Sequence, residues 1–117
     1  MPSESAIFAL RDIAFHIDLA SHFTKGFDFT AFCDDLRTVY AVTRCLEIIS
    51  EASRRVPLSL KERHPSIARK RMAAAGNVYR HDYEDVAASH VWDTVQIDLT
   101  PLRAVVQQEL RQLGETP

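Results

Sequence analysis

Helix breakers are nearly missing from the interior of this sequence. Three glycines stand in 117 residues, and of five prolines only Pro57, Pro65 and Pro101 lie away from the ends. With so few residues that force turns, long helices are the default reading. Periodicity supports it. Ile7, Leu10, Ala14, Ile17 and Ala20 recur at three- and four-residue steps, so 4–24 reads as an amphipathic helix capped by Ser3 or Ser5 and ended by Lys25-Gly26.

A second helix is predicted from Asp28 or Thr30 to Arg55, with Phe32, Leu36, Val39, Tyr40, Thr43, Leu46 and Ile49 on one stripe. At the standard rise it is on the order of 40 Å long. Pro57 closes it, and 58–65 reads as a short, basic, irregular stretch holding one helical turn. A third helix spans 66–81, where Arg69-Lys70-Arg71 precedes the small, apolar run Met72-Ala73-Ala74-Ala75-Gly76. A fourth covers 87–97 and carries Val91, Trp92 and Val95. Thr100 as N-cap, with Pro101 at the first helical position, starts a fifth that runs to Leu113 on Leu102, Val105, Val106, Glu109 and Leu110. There is no internal repeat, no low-complexity tract and no strand-like alternation. The fold class expected is all-α: an antiparallel, up-down bundle of four to five helices, the last two sharing one position, in a single domain over residues 1–117.

An apolar share of 46% beside 26% charged residues is enough for one hydrophobic core. No run approaches the roughly 18 uninterrupted apolar residues of a membrane-spanning helix. Pro2-Ser3-Glu4-Ser5 lacks the basic head of a signal peptide. The expectation is a cytoplasmic chain with no membrane partner. Cys33 and Cys45, placed on one helix, stand roughly 18 Å apart along its axis, too far for a disulfide, and read as reduced core thiols. His16, His22, His64, His81 and His90 show no metal-ligand spacing, so neither a metal nor a cofactor is expected.

The net charge of -2 argues against a nucleic-acid partner until it is divided by position. Between residues 54 and 81 stand eight basic residues, Arg54, Arg55, Lys61, Arg63, Arg69, Lys70, Arg71 and Arg80, against the single acid Glu62. That segment carries +7 and the remainder -9. Charged runs are usually solvated faces. The lack of interleaved acids is what favours the other reading, phosphate binding, with Arg69, Lys70 and Arg71 as candidate RNA contacts.

Residues with chemical potential concentrate in the octet Gly76-Asn77-Val78-Tyr79-Arg80-His81-Asp82-Tyr83. On a helix Asn77 and His81 share a face, with Arg80 one residue's rotation away. A His beside an Arg and near an Asn is a minimal set for RNA cleavage without a metal. The imidazole moves a proton at the 2′-hydroxyl or the leaving oxygen, and the guanidinium neutralises charge on the phosphorane-like transition state. The bland alternative is that His81 caps the helix C-terminus, where a cation suits the dipole.

This octet resembles the signature of the HepT-like toxins, a branch of the HEPN superfamily, written Arg-Asn-x-x-x-His-x-Tyr. The likeness extends beyond it. Leu46-Glu47-Ile48-Ile49-Ser50-Glu51-Ala52 is similar to the family's second-helix segment, and Val91-Trp92-Asp93-x-Val95 with Asp98-Leu99-x-x-Leu102 to its ending, so the resemblance runs from about residue 6 to 112. It implies a HEPN-type bundle that forms a homodimer with both motifs facing one cleft. It also implies the ribonuclease toxin of a type VII toxin–antitoxin pair, silenced by an MntA-like minimal nucleotidyltransferase that transfers AMP from ATP to the motif tyrosine. By position that tyrosine is Tyr83, His81 takes the catalytic histidine's place, and Asn77 that of the motif asparagine.

One departure bears on the chemistry. Gly76 stands where the family motif has its arginine, and Gly76 cannot neutralise a phosphate. Either Arg80 supplies the guanidinium from a different backbone position, or the site is degenerate and the chain binds RNA or its partner without cutting. A second departure, Ala68-Arg69 where the family shows Pro-Trp, changes a contact and not the chemistry. Glu51, in the family's "GEA" position, reads either as a buried carboxylate that orients His81 or Arg80 or as a solvated helix acid. Trp92 reads as a core residue before a base-stacking one.

Overall fold

The computed structural model describes residues 4–64 and 84–115, with side chains placed from residue 88 onward in the second stretch. The predicted third helix, 66–81, lies outside them. Among the described residues the chain is helical throughout and has no strand. The elements are α1 (Glu4–Thr24), α2 (Phe29–Asp34), α3 (Leu36–Arg55), α4 (Leu58–Glu62), α5 (Glu84–Asp93), a π-helical turn (Thr94–Asp98) and α6 (Leu99–Gln112).

The scaffold is α1 packed against α3 on one side and α6 on the other. Helix α1 buries Ala6, Ala9, Leu10, Ile13, Ile17 and Ala20. Helix α3 answers with Val39, Val42, Cys45, Leu46, Ile49, Ser50, Ala52 and Ser53. Small residues alternate with large ones on both faces, so the large side chains interdigitate at close-packed density. The buried Ser53 hydroxyl donates to the Ile49 carbonyl at 2.7 Å, which satisfies it inside the apolar face. Long-range ion pairs fix the directions. Arg55 at the end of α3 meets Asp12 in the first half of α1 at 3.0 Å. Arg103 and Arg11 pair with Asp18 and Glu115, so α6 runs opposite to α1 as well. Both neighbours are antiparallel to α1, as an up-down bundle requires.

The predicted second helix is two helices. At Asp35 the backbone turns to φ -107°, ψ 89°, and its Oδ1 accepts from the Thr38 N–H at 3.2 Å, capping α3 anew. Asp28 caps α2 in the same way, accepting from the Ala31 N–H at 2.8 Å. The break changes the phase of the stripe: Phe32 is buried completely, while Leu36, predicted on the same face, is 49% exposed. It also separates the two cysteines, leaving Cys33 half-buried on α2 and Cys45 buried on α3, with no disulfide between them.

Thr100 does not cap a fifth helix. α5, the π turn and α6 form one continuous helical rod, and Thr100 is exposed within it. Pro101 has no N–H and would leave the Ile97 carbonyl unbonded in a regular α-helix. The chain passes this point by widening into the π turn, where the Leu99 N–H donates to the Thr94 carbonyl. The rod ends at Gly114 (φ 78°), with the Glu115 N–H donating to the Leu110 carbonyl at 2.8 Å and the Gly114 N–H to the Arg111 carbonyl at 3.0 Å. That pair of bonds, made around a left-handed glycine, is a Schellman cap.

Candidate functional site

The octet Gly76 to Tyr83 and the triplet Arg69-Lys70-Arg71 lie outside the described residues, so Asn77, Arg80, His81 and Tyr83 are located by sequence. The described chain brackets them, with α4 and His64 before and α5, from Glu84, directly after Tyr83. Glu51 is exposed on α3, the position of a solvated acid.

At the start of this bracket stands a charged cluster. Glu109, on the apolar stripe of α6 with Leu102, Val106 and Leu110, is 2% exposed, the one charged side chain buried among the described residues. A carboxylate there is costly unless both oxygens are bonded. Oε2 accepts from Arg63 Nη2 at 2.8 Å, and Oε1 lies 2.6 Å from His64 Nε2. A carboxylate only accepts, so this contact puts the His64 proton on Nε2 and turns Nδ1 outward from the pair. Beside the cluster is an apolar crevice of about 40 Å³, lined by Leu10, Ile13, Val56, Leu60 and Leu102.

The site residues missed in the sequence were His64 and Glu109. The signal was faint: an acid standing where α6 repeats apolar residues. His64 carried no sequence signal, because its partner is 45 residues away.

The basic segment is less free than its composition implies. Of its described members, Arg55 pairs with Asp12 and Arg63 with Glu109, acids drawn from the negative remainder. Charge segregated along the chain is partly re-paired in space.

Trp92 is a half-buried core residue, its ring centroid 5.3 Å from that of Phe32 and 6.2 Å from that of Phe29. Its outer edge lines an open polar groove of about 350 Å³ with Ser21, Lys25, Gln96 and Thr100. Among the described residues no three His, Cys, Asp or Glu side chains converge as metal ligands would. No described helix is long and apolar enough to cross a membrane.

Against known families, residues 9–109 match the model of the HepT-like ribonucleases, described as "Ribonuclease HepT-like". The chain belongs to that family. Its relatives include "Putative RNase MJ0125" of Methanocaldococcus jannaschii, 30% identical over 98% of this chain and 99% of its own length. Another is "Probable ribonuclease HepT" of Thermococcus cleftensis, 39% identical over 80% of this chain and 86% of its own. No solved structure matches. The helical bundle agrees with the HEPN architecture, and the HepT-like match ends on the buried Glu109.

Proposed function

We propose that this chain is an endoribonuclease toxin of the HepT type that cuts RNA without a metal ion. The observation that carries this reading is the octet with His81, set in a chain matched to the ribonuclease family over residues 9–109. In the reaction the 2′-oxygen attacks the adjacent phosphorus while a base takes its proton. The bond to the 5′-oxygen breaks and that oxygen takes a proton, leaving a 2′,3′-cyclic phosphate and a 5′-hydroxyl. His81 is the acid or base of these transfers, Arg80 neutralises the phosphorane charge, and Asn77 positions the phosphate. Arg69, Lys70 and Arg71 hold the strand.

The partner is a minimal nucleotidyltransferase. The Tyr83 oxygen attacks the α-phosphorus of ATP, loses its proton, and pyrophosphate leaves. The chain works as a homodimer in the cytoplasm, and light scattering is expected to give twice the 13.3 kDa of one chain.

Purified protein in chelator is expected to cut RNA, and His81→Ala to slow it by about 10²-fold or more; equal cleavage by the variant removes His81 from the mechanism. Co-expression with the transferase should add the mass of AMP to the Tyr83 peptide. Gly76 favours a second reading, a HEPN subunit that binds RNA or the transferase without cutting. Under it the unaltered protein binds RNA and leaves it intact, and Gly76→Arg restores cleavage.

A further inference from the structure

We propose that Arg63 and His64, held in place by the buried carboxylate of Glu109, form a contact for the RNA sugar-phosphate backbone outside the motif octet. The proposal rests on the ribonuclease reading and extends its substrate surface to residues that the motif does not include.

The argument starts from the cost of Glu109. A leucine there would continue the stripe of Leu102, Val106 and Leu110 with no charge to desolvate, and replacing buried ion pairs by apolar residues is often neutral or stabilising. Stability therefore gives little reason for an acid at 109. What the acid does is hold an exposed guanidinium and a part-buried imidazole side by side. Arg63 is 55% exposed although one of its nitrogens is fixed on Oε2, and no other acceptor engages it among the described residues. His64, 18% exposed, is fixed through Nε2, which leaves Nδ1 without a partner among the described residues. Lys61 adds a third basic group on the preceding turn.

Fixed side chains bind with less loss of rotamer freedom. The edges left without a partner among the described residues suit one class of ligand: guanidinium N–H groups donate to phosphate oxygens, and Nδ1 bonds a ribose 2′-hydroxyl, which both donates and accepts. In sequence the pair also stands four residues ahead of Arg69-Lys70-Arg71, so it lengthens the basic track towards the N-terminal side.

The test is binding of a fluorescent single-stranded RNA oligonucleotide, measured against salt in a His81→Ala background so that the strand stays whole. Arg63→Gln, at an exposed position, should weaken binding about fivefold or more and lower the salt slope by about 0.7, the value for one phosphate contact on a single strand. Arg103→Gln, outside the segment and paired with Asp18, should leave the slope unchanged. Glu109→Gln separates positioning from bulk charge. It makes the protein one charge more positive, so electrostatics alone predicts tighter binding, whereas loss of the anchor predicts weaker binding at unchanged helix content. If the parent binds RNA but Arg63→Gln changes neither affinity nor slope, the contact is wrong and the ribonuclease reading stands. If the parent binds no RNA, both fall together.

Discussion

At the scale of single residues, Glu109 is paired twice, and that redundancy has an energetic signature. Losing Arg63 or His64 alone leaves one donor on the carboxylate, at a cost of about 1–2 kcal/mol. Losing both strands an unbonded charge at a buried site, which costs about 3–5 kcal/mol. Urea unfolding of Arg63→Ala, His64→Ala and the double variant should therefore show the double losing more than the two singles combined. Additivity within about 0.5 kcal/mol would mean that the two donors act independently. Cys45 supplies a pH effect. Burial pushes its thiol above the ordinary 9.0, with a backbone hydrogen bond opposing the rise. The folded state thus keeps its proton longer than the unfolded state. The stability this represents is whole below the ordinary value and is lost as pH climbs past 9.0. Melting of the parent should fall over that range more steeply than melting of Cys45→Ala, and Cys33, half-buried, should alkylate first.

At the scale of elements, the caps carry the testable energies. Asp35→Ala removes the acceptor for the Thr38 N–H and should cost about 1 kcal/mol, with faster amide exchange at Thr38. Gly26 has φ 84°, and nothing lies within 4 Å of the place an added methyl group would take, so Gly26→Ala tests backbone strain alone and should cost about 1 kcal/mol. Helix content, the α1 boundaries and three members of its core stripe, Leu10, Ile17 and Ala20, were legible because apolar spacing reports a buried face, whereas Ile7 and Ala14 are only half-buried and the buried Ala6, Ala9 and Ile13 were not on the predicted stripe. The division at Asp35 was not. It contains no Pro or Gly, and Phe32, Leu36 and Val39 keep helical spacing straight across it. The rod through Pro101 was missed for the opposite reason. Thr-Pro is a good start signal, yet a π turn lets the preceding helix absorb the proline.

At the scale of the whole molecule, the antiparallel scaffold was legible and the pairing of charges was not, since composition along a chain does not say which acids will fold against which bases. The octet is assigned by sequence motif alone and lies outside the described residues, whereas the anchor formed by Glu109 depends on bringing residues 63 and 109 together. Arg55–Asp12 and Arg103–Asp18 are exposed and each contributes at most about 1 kcal/mol, screened by salt. Burial of α1 between two helices has to hold the bundle instead. Phe32→Ala, at a fully buried ring, should cost about 3–5 kcal/mol, far more than loss of either ion pair.

The packing of Trp92 against Phe32 has an optical consequence. It is the sole tryptophan, so emission excited at the red edge, where the three tyrosines do not absorb, reports the docking of α5 on α2. Far-ultraviolet ellipticity reports every helix at once. If the bundle unfolds as one cooperative unit, the two signals should trace a single transition with a common midpoint. An emission change that leads the ellipticity would instead mark the α2–α5 corner as a separately melting part.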